Sequence, residues 1–366
     1  MLTSTNNRRH DLDALRACAM LLGIALHAAL AYTTFGWAVS DPSQSKLFNW
    51  FFHLIHGFRM QLFFLLSGFF TAMLYQRRGL KALLSHRAKR VFLPLVIFTP
   101  ILIPITEWIL TLSRTRQGDA EKFAPSSNAP WLETFNFHHL WFLWFLCLFV
   151  LGFVLISKIP KPKLQRKWVN SPRCLIWLIP LTLLPQLWVT RAYPLYGPES
   201  SLGLIPIPSV LFYFAIFYGF GATLYHFGDK GVASHWRLKL VLALFILFPT
   251  GMLFEWWSIY NAPSIQWLSD LLQVSFSWLM IFGCIGFFRE KCTQSSPKMR
   301  YLSDASYWLY LAHLPLVFGL QLAIQDWPLS CWIKFPLVNL FSFSLLLLSY
   351  HFLVRGKFLG RFLNGK

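Results

Sequence analysis

Ten apolar stretches of about 20 residues recur along the chain, each long enough at ~1.5 Å rise per residue to cross a bilayer as a helix. They fall near 12–33, 50–75, 91–112, 139–157, 174–190, 206–227, 238–256, 268–288, 302–324 and 332–354. Within hydrocarbon a backbone has only itself to hydrogen-bond to, so such stretches must be helical. The expected fold is therefore all-α: a polytopic transmembrane helix bundle of about ten spans, built as one domain over residues 1–366. With 56% apolar and 13% charged residues, a soluble two-domain protein, a disordered tail and a solvated repeat array are excluded. The 17 Trp, 12 Tyr and 37 Phe suit a bundle that faces lipid and carries aromatic belts at its interfaces.

A formal net charge of +19 would suit a nucleic-acid binder if its cations formed one patch, but they recur between the apolar stretches. Of the 33 Lys and Arg, 25 fall at the two ends of the chain and in the connections after even-numbered spans. Six fall on the other side: Lys46, Arg114, Arg116, Lys122, Arg191 and Lys334. By the positive-inside rule both termini are expected in the cytoplasm, with basic loops touching anionic membrane lipid and no nucleic acid as partner. Arg8 and Arg9 precede the first stretch as in a signal peptide, but Arg16 inside it and the lack of a cleavage site predict a retained span. The six cysteines form no CxxC pair and predict neither a disulfide framework nor a zinc site. The longest outer loop, about 113–138, carries the polar stretch "APSSNAP" and no separate domain.

An ionisable side chain inside a span costs several kcal/mol unless it faces a polar interior, so such residues are functional candidates by default. In span 1, Arg16 and His27 are eleven residues apart, a net turn of about 20° and a rise of about 16 Å. They share one face, either as a snorkelling arginine with a core histidine or as two parts of a site. Span 2 gathers His53, His56, Arg59, Gln61 and Ser67; His56 and Arg59 are neighbours one turn apart. Two histidines without a carboxylate make a poor metal site, and Ser67-Gly68 reads as a close helix contact rather than a nucleophile. At the entrance to span 3, Arg87 and Arg90 lie one turn apart with Pro94 following. They suit phosphate, or serve as a topological anchor. His139 and Trp141 open span 4, Trp141 being equally at home in an aromatic belt, and Tyr310 and His313 share a face of span 9 ahead of Pro315. Glu107 and Glu255, near outer helix ends, are expected to be hydrated and are given no chemistry.

Taken together, Arg-x10-His (Arg16, His27), "FFLLSGFF", Arg-x-x-Arg with a following proline (Arg87, Arg90, Pro94), "HLWFLWFL" and "SYWLYLAHLP" resemble the acyltransferase-3 family of integral membrane acyltransferases. The likeness covers nearly the whole chain. Within the family, "LRACAMLLGIALHAALAY", "FFHLIHGFRMQLFFLLSGFF" and "HHLWFLWFL" resemble the branch that succinylates osmoregulated periplasmic glucans, a likeness confined to roughly the first 150 residues. The resemblance implies a bacterial inner-membrane enzyme that transfers an acyl group from cytoplasmic acyl-CoA, succinyl-CoA in that branch, to a hydroxyl of a periplasmic glucan. The acyl-CoA is a co-substrate, and no permanently bound cofactor or metal is implied. His27 becomes the catalytic base, with Arg16, on the same face of span 1, as a second catalytic candidate that orients the polar track or the donor. Arg87 and Arg90 face the CoA phosphates, and His56, Arg59, His139, Trp141, Tyr310 and His313 become substrate-binding candidates. Acyl transfer to another envelope saccharide and a saccharide transporter or flippase are the competing readings. Oligomeric state is not legible in the sequence.

Overall fold

The structure, a computed structural model, describes residues 9–117, 135–158, 166–192, 196–294 and 296–363. Most of the long outer loop with its "APSSNAP" stretch, and the basic residues Arg8, Lys161, Lys163 and Lys366, lie outside the described residues. All regular structure among the described residues is helical. The helices are α1 (His10–Leu30), α2 (Lys46–Arg87), α3 (Leu93–Gln117), α4 (Trp141–Ser157), α5 (Arg173–Ala192), α6 (Pro208–Phe227) and the short α7 (Lys230–Ala233). They continue as α8 (Trp236–Leu242), α9 (Phe248–Tyr260), α10 (Gln266–Lys291), α11 (Pro297–Ile324), α12 (Cys331–Ser349) and α13 (Phe358–Leu363). One wide turn of helix joins α2 to α3 at Ala88–Phe92, another joins α8 to α9 at Ala243–Leu247, and a third extends α12 through Tyr350–Val354.

Among the described residues nine helical runs are long and apolar enough to cross a bilayer, where ten spans were expected. The difference lies in Lys46–Gln117, whose 72 residues would reach about 108 Å if straight, several times the hydrocarbon thickness. It is not straight. Gly79 leaves helical geometry at φ 76°, ψ 178°, and Arg87 Nη2 donates to Thr71 Oγ1 at 2.8 Å. Thr71 and Arg87 stand equally far in sequence on either side of Gly79, so the run is a helical hairpin and crosses twice. The contacts of α1 with α11 agree. Arg16 meets Ser303 and His27 meets His313, so the two helices run parallel, as spans 1 and 9 must.

Close packing is set by small residues where α2 crosses α6. A Cβ on Gly68 would stand 1.9 Å from the Tyr218 carbonyl oxygen, and one on Gly221 would stand 1.9 Å from that of Leu65. Ser67-Gly68 is thus a backbone contact between helices, as small-residue pairs in membranes usually are. At the basic end, Asp229 holds Arg9 at 2.5 Å and also pairs with Arg289, tying the start of α1 to the end of α10. Burial opposes the charge on Arg9, but Asp11 and Asp229 outweigh it and raise its pKa. At the other end Lys334 is buried rather than displayed at the surface. Its Nζ lies 2.8 Å from the Asp41 carboxylate and donates to the Gln325 carbonyl.

Two outcomes follow from this architecture. Gly68→Ala and Gly221→Ala push a methyl into backbone, which cannot swing aside, and each should destabilise by about 1–3 kcal/mol or more; thermal melting in detergent reads the effect. Reporters fused at Arg78 and Lys163 should mark one side of the membrane and a reporter at Ser127 the other. Opposite labels at Arg78 and Lys163 would discard the hairpin.

Candidate active site

The site is assembled along one face of α11. Ser303, Tyr307, Tyr310 and His313 follow one another at three- and four-residue steps, so they line a strip about 15 Å long. At the basic end Arg16 Nη2 donates to Ser303 Oγ at 3.1 Å and lies 3.5 Å from Asp13. Tyr307 donates to the backbone carbonyl of Arg90 at 2.7 Å, anchoring the start of span 3 to α11. Arg87 donates to Thr71 Oγ1, and Arg90 Nε donates to the Leu363 carbonyl of α13 at 3.1 Å. Arg16, Arg87 and Arg90 lie close enough for their charges to act on one another. Among the described residues no carboxylate forms an ion pair with Arg87 or Arg90. Arg16 has Asp13 beside it and the Asp304 carboxylate acts on Arg90, so the cluster is partly neutralised, and the forked donors of Arg87 and Arg90 have the geometry that suits an anion.

At the far end of the strip three imidazoles meet. The His313 ring stands 5.1 Å from that of His27 and 5.2 Å from that of His139, centroid to centroid. His313 Nδ1 lies 2.7 Å from the Tyr310 carbonyl oxygen, so that nitrogen carries the proton and Nε2 is the bare one. His139 Nε2 likewise donates to the Leu311 carbonyl at 2.9 Å, leaving Nδ1 bare. His313 Nε2, His139 Nδ1 and His27 Nδ1 are all buried without a hydrogen-bond partner among the described residues. Tyr310 completes the frame by donating to the His139 carbonyl at 2.7 Å. Gln321 grips α1 by donating to the His27 and Ala28 carbonyls.

Arg59 enters from α2, 9% exposed, and lies directly across α1 at Gly23, one turn below His27. A Cβ on Gly23 would stand 1.7 Å from Arg59 Nη1, so the guanidinium occupies the space any other residue there would need. Among the described residues no carboxylate pairs with it, and its Nε has no hydrogen-bond partner.

Other candidates are placed elsewhere. His56 stacks on Phe52 and donates through Nε2 to the Pro198 carbonyl at 3.0 Å, fastening the loop at Tyr196–Pro198. Trp141 packs into the aromatic core against Phe64, Phe145 and Phe214 rather than beside the imidazoles. Of the two acidic residues read as hydrated, Glu107 keeps a side chain 43% exposed while it pairs with His138, and Glu255 is buried. Glu107 lies 2.7 Å from His138 Nε2, bracing the turn that presents His139, and Glu255 is 5% exposed and accepts from Gln266, Ser269 and Gln273. A hydrated carboxylate needs water, and here neutral amide and hydroxyl donors of α10 replace it. Sequence reasoning missed Gly23, Ser303 and Gln321. A glycine one turn before His27 was the only signal, and it points nowhere until Arg59 is seen above it. All six cysteines are free, and among the described residues no group of three His, Cys, Asp or Glu could hold a metal ion.

Residues 9–354 match the profile of the acyltransferase-3 family, described as an acyltransferase domain. The chain belongs to that family. It is 27% identical to the glucans biosynthesis protein C of Escherichia coli strain SMS-3-5 and 26% identical to that of strain K12, over 98% of this chain and 95% of either relative. No solved structure matches. The chain is therefore a multi-pass membrane acyltransferase, and all of the polar strip on α11 lies within the matched region.

Gly23→Ala isolates the guanidinium. The added methyl collides with the far end of a flexible side chain, so the protein should fold with nearly unchanged melting while Arg59 is displaced. A misplacement of about 1 Å at a reacting centre costs roughly 10²-fold in rate; acyl transfer by the purified variant, set beside its melting curve, checks this.

Proposed function

We propose that the enzyme moves a succinyl group from cytoplasmic succinyl-CoA to a hydroxyl of a periplasmic glucan, with His27 as general base. Arg59 carries this reading. A buried guanidinium with no carboxylate partner among the described residues calls for an anionic ligand, and the free carboxylate of a succinyl thioester matches its two parallel donors. The name of the relatives supports glucan as acceptor.

In this reading the CoA phosphates rest on Arg87 and Arg90, with Arg16 at the foot of the strip, and the pantetheine arm runs along Tyr307 and Tyr310 towards His313. The glucan hydroxyl arrives from the opposite face. His27 takes its proton, the oxygen attacks the thioester carbonyl carbon, the new C–O bond forms and the C–S bond breaks. The CoA thiolate leaves and takes the proton back from His27, so the base is regenerated. His313 and His139, with tautomers fixed by backbone carbonyls, hold the His27 ring in place and offer bare nitrogens to incoming hydroxyls. In this reading the chain sits in a bacterial inner membrane, with both termini in the cytoplasm as the distribution of its basic residues supports.

Removing a general base costs about 10²–10⁴-fold in rate. Purified His27→Gln should fold, bind CoA and fail to transfer; near wild-type turnover would hand the role to another histidine. Replacing Arg87 and Arg90 together by Gln should raise the Kd for CoA with a smaller change in kcat at saturating donor. Unchanged CoA affinity in the folded double variant would reduce the pair to topological anchors. Mass spectrometry of periplasmic glucans from cells with and without the protein decides acyl group and acceptor together: loss of ester-linked succinate is expected, and unchanged glucans would redirect the search to another envelope saccharide.

A further inference from the structure

A cavity of about 550 Å³ opens where the ends of α5 and α9 meet the start of α10. Asp270 and Arg289 lie at opposite ends of α10, about 28 Å apart along its axis, and Arg289 is bound into the basic end through Asp229. The cavity is therefore on the acceptor's side of the bundle, away from Arg87 and Arg90. Its polar lining is Thr190, Arg191, Ser258, Ser264, Gln266 and Asp270, with the indole of Trp267 half-exposed beside them. The nearby groove of Leu181, Leu184, Pro185, Trp188 and Phe212 is apolar and suits lipid; the cavity does not.

Asp270 is 1% exposed, and one carboxylate oxygen accepts from Thr190 at 2.7 Å and from Gln186 at 3.3 Å. Its other oxygen is buried without a hydrogen-bond partner among the described residues, although the residue lines the cavity. Behind it Gln273 accepts from the Gly197 backbone N–H at 2.7 Å and donates to Glu255. Gly197 precedes Pro198, whose carbonyl is held by His56, one turn from Arg59. One chain of contacts thus runs from the cavity, through the loop at Tyr196–Pro198, to the mouth of the His27 cluster.

We propose that this cavity is a saccharide subsite that grips the acceptor glucan at sugar units remote from the hydroxyl being acylated. The proposal rests on the acceptor assignment above. An indole offers a flat apolar face to the C–H surface of a pyranose, while a carboxylate, an amide and hydroxyls exchange hydrogen bonds with ring hydroxyls. Such a composition, with one cation, Arg191, against one buried carboxylate, suits a polyhydroxylated chain; a phosphorylated donor is better matched by the several cations gathered at the other end.

The test uses the full chain in lipid nanodiscs and linear gluco-oligosaccharides of graded length, from glucose upward, with calorimetry and no donor present. Wild-type affinity should rise with oligosaccharide length. Trp267→Ala should flatten that rise and weaken the longer ligands about three- to tenfold, the range of one aromatic contact; Asp270→Asn should act in the same direction. Trp267 is 52% exposed, so its removal leaves the fold intact and that variant decides if Asp270→Asn melts early. A Trp267→Ala protein with wild-type length dependence, or a wild type that binds no oligosaccharide, overturns the subsite. Transfer from succinyl-CoA to the same oligosaccharides is measured in parallel. Transfer that Trp267→Ala leaves unaltered at every acceptor length sinks the subsite and spares the proposed reaction, whereas length-dependent binding without transfer spares the subsite and sinks the reaction.

Discussion

The bundle is organised around the difficulty of keeping Arg59 inside a membrane. A charge at the centre of a spanning helix costs about 2.5–3.5 kcal/mol on insertion scales and stays there only inside a polar protein interior. Here that interior is built by removal as much as by addition. Gly23 clears a notch in α1 wide enough for the guanidinium, and Tyr310, His27 and His313 are polar groups within its electrostatic reach. Because α1, α2 and α11 all border that notch, a shift in any one of them displaces the charge or exposes it to lipid. The small-residue contact of Gly68 and Gly221 bears on the site for the same reason: it sets where α2, and Arg59 with it, stands against the rest.

The second organising element is the parallel pairing of α1 with α11. Two parallel helices keep the same ends together, so Arg16 meets Ser303 at the basic end and His27 meets His313 deeper in. Tyr307 then ties span 3 to the same face through the Arg90 carbonyl, and Tyr310 ties in the turn before α4 through that of His139. Spans remote in sequence deliver their cations and imidazoles to a single strip because two α11 hydroxyls find backbone carbonyls at the start of span 3 and before α4, while a third, Ser303, accepts from Arg16 of span 1. Removing one such bond would leave a buried carbonyl and a buried hydroxyl without partners, which is why the strip is expected to be stiff.

Much of this was legible in the residues. Apolar runs of membrane length separated by basic loops imply the helical bundle, and the eleven-residue spacing of Arg16 and His27 does place both on the face that meets α11. Paired Arg87 and Arg90 also end beside Arg16. What escaped was partnership across the bundle. Spans that are apolar all round carry little facial signal, so nothing in the sequence indicates that Trp141 turns to Phe64 and Phe214 while His139 turns to His313. One acidic residue misled for a related reason. Glu255 lies near a helix end, where water is the default, and its burial depends on Ser269 and Gln273 of the following helix. Lys334 similarly reads as a cation at the outer end of its span until Asp41 is found beside it.

The depth of the imidazole cluster bears on chemistry as well as on stability. A thioester held in water beside a general base is hydrolysed, and exclusion of water is one function a closed site performs. His27 sits among Ile24, Leu26 and Ala28, all buried, with Gln321 occupying the carbonyls that would otherwise recruit water to the end of α1. In the proposed reaction the acceptor hydroxyl is then the only proton donor to reach the base while the donor is in place. That requirement also explains why donor and acceptor would enter from opposite faces. Neither has to pass the other, and each closes one mouth of the site, so both occupy it together without opening it to bulk solvent.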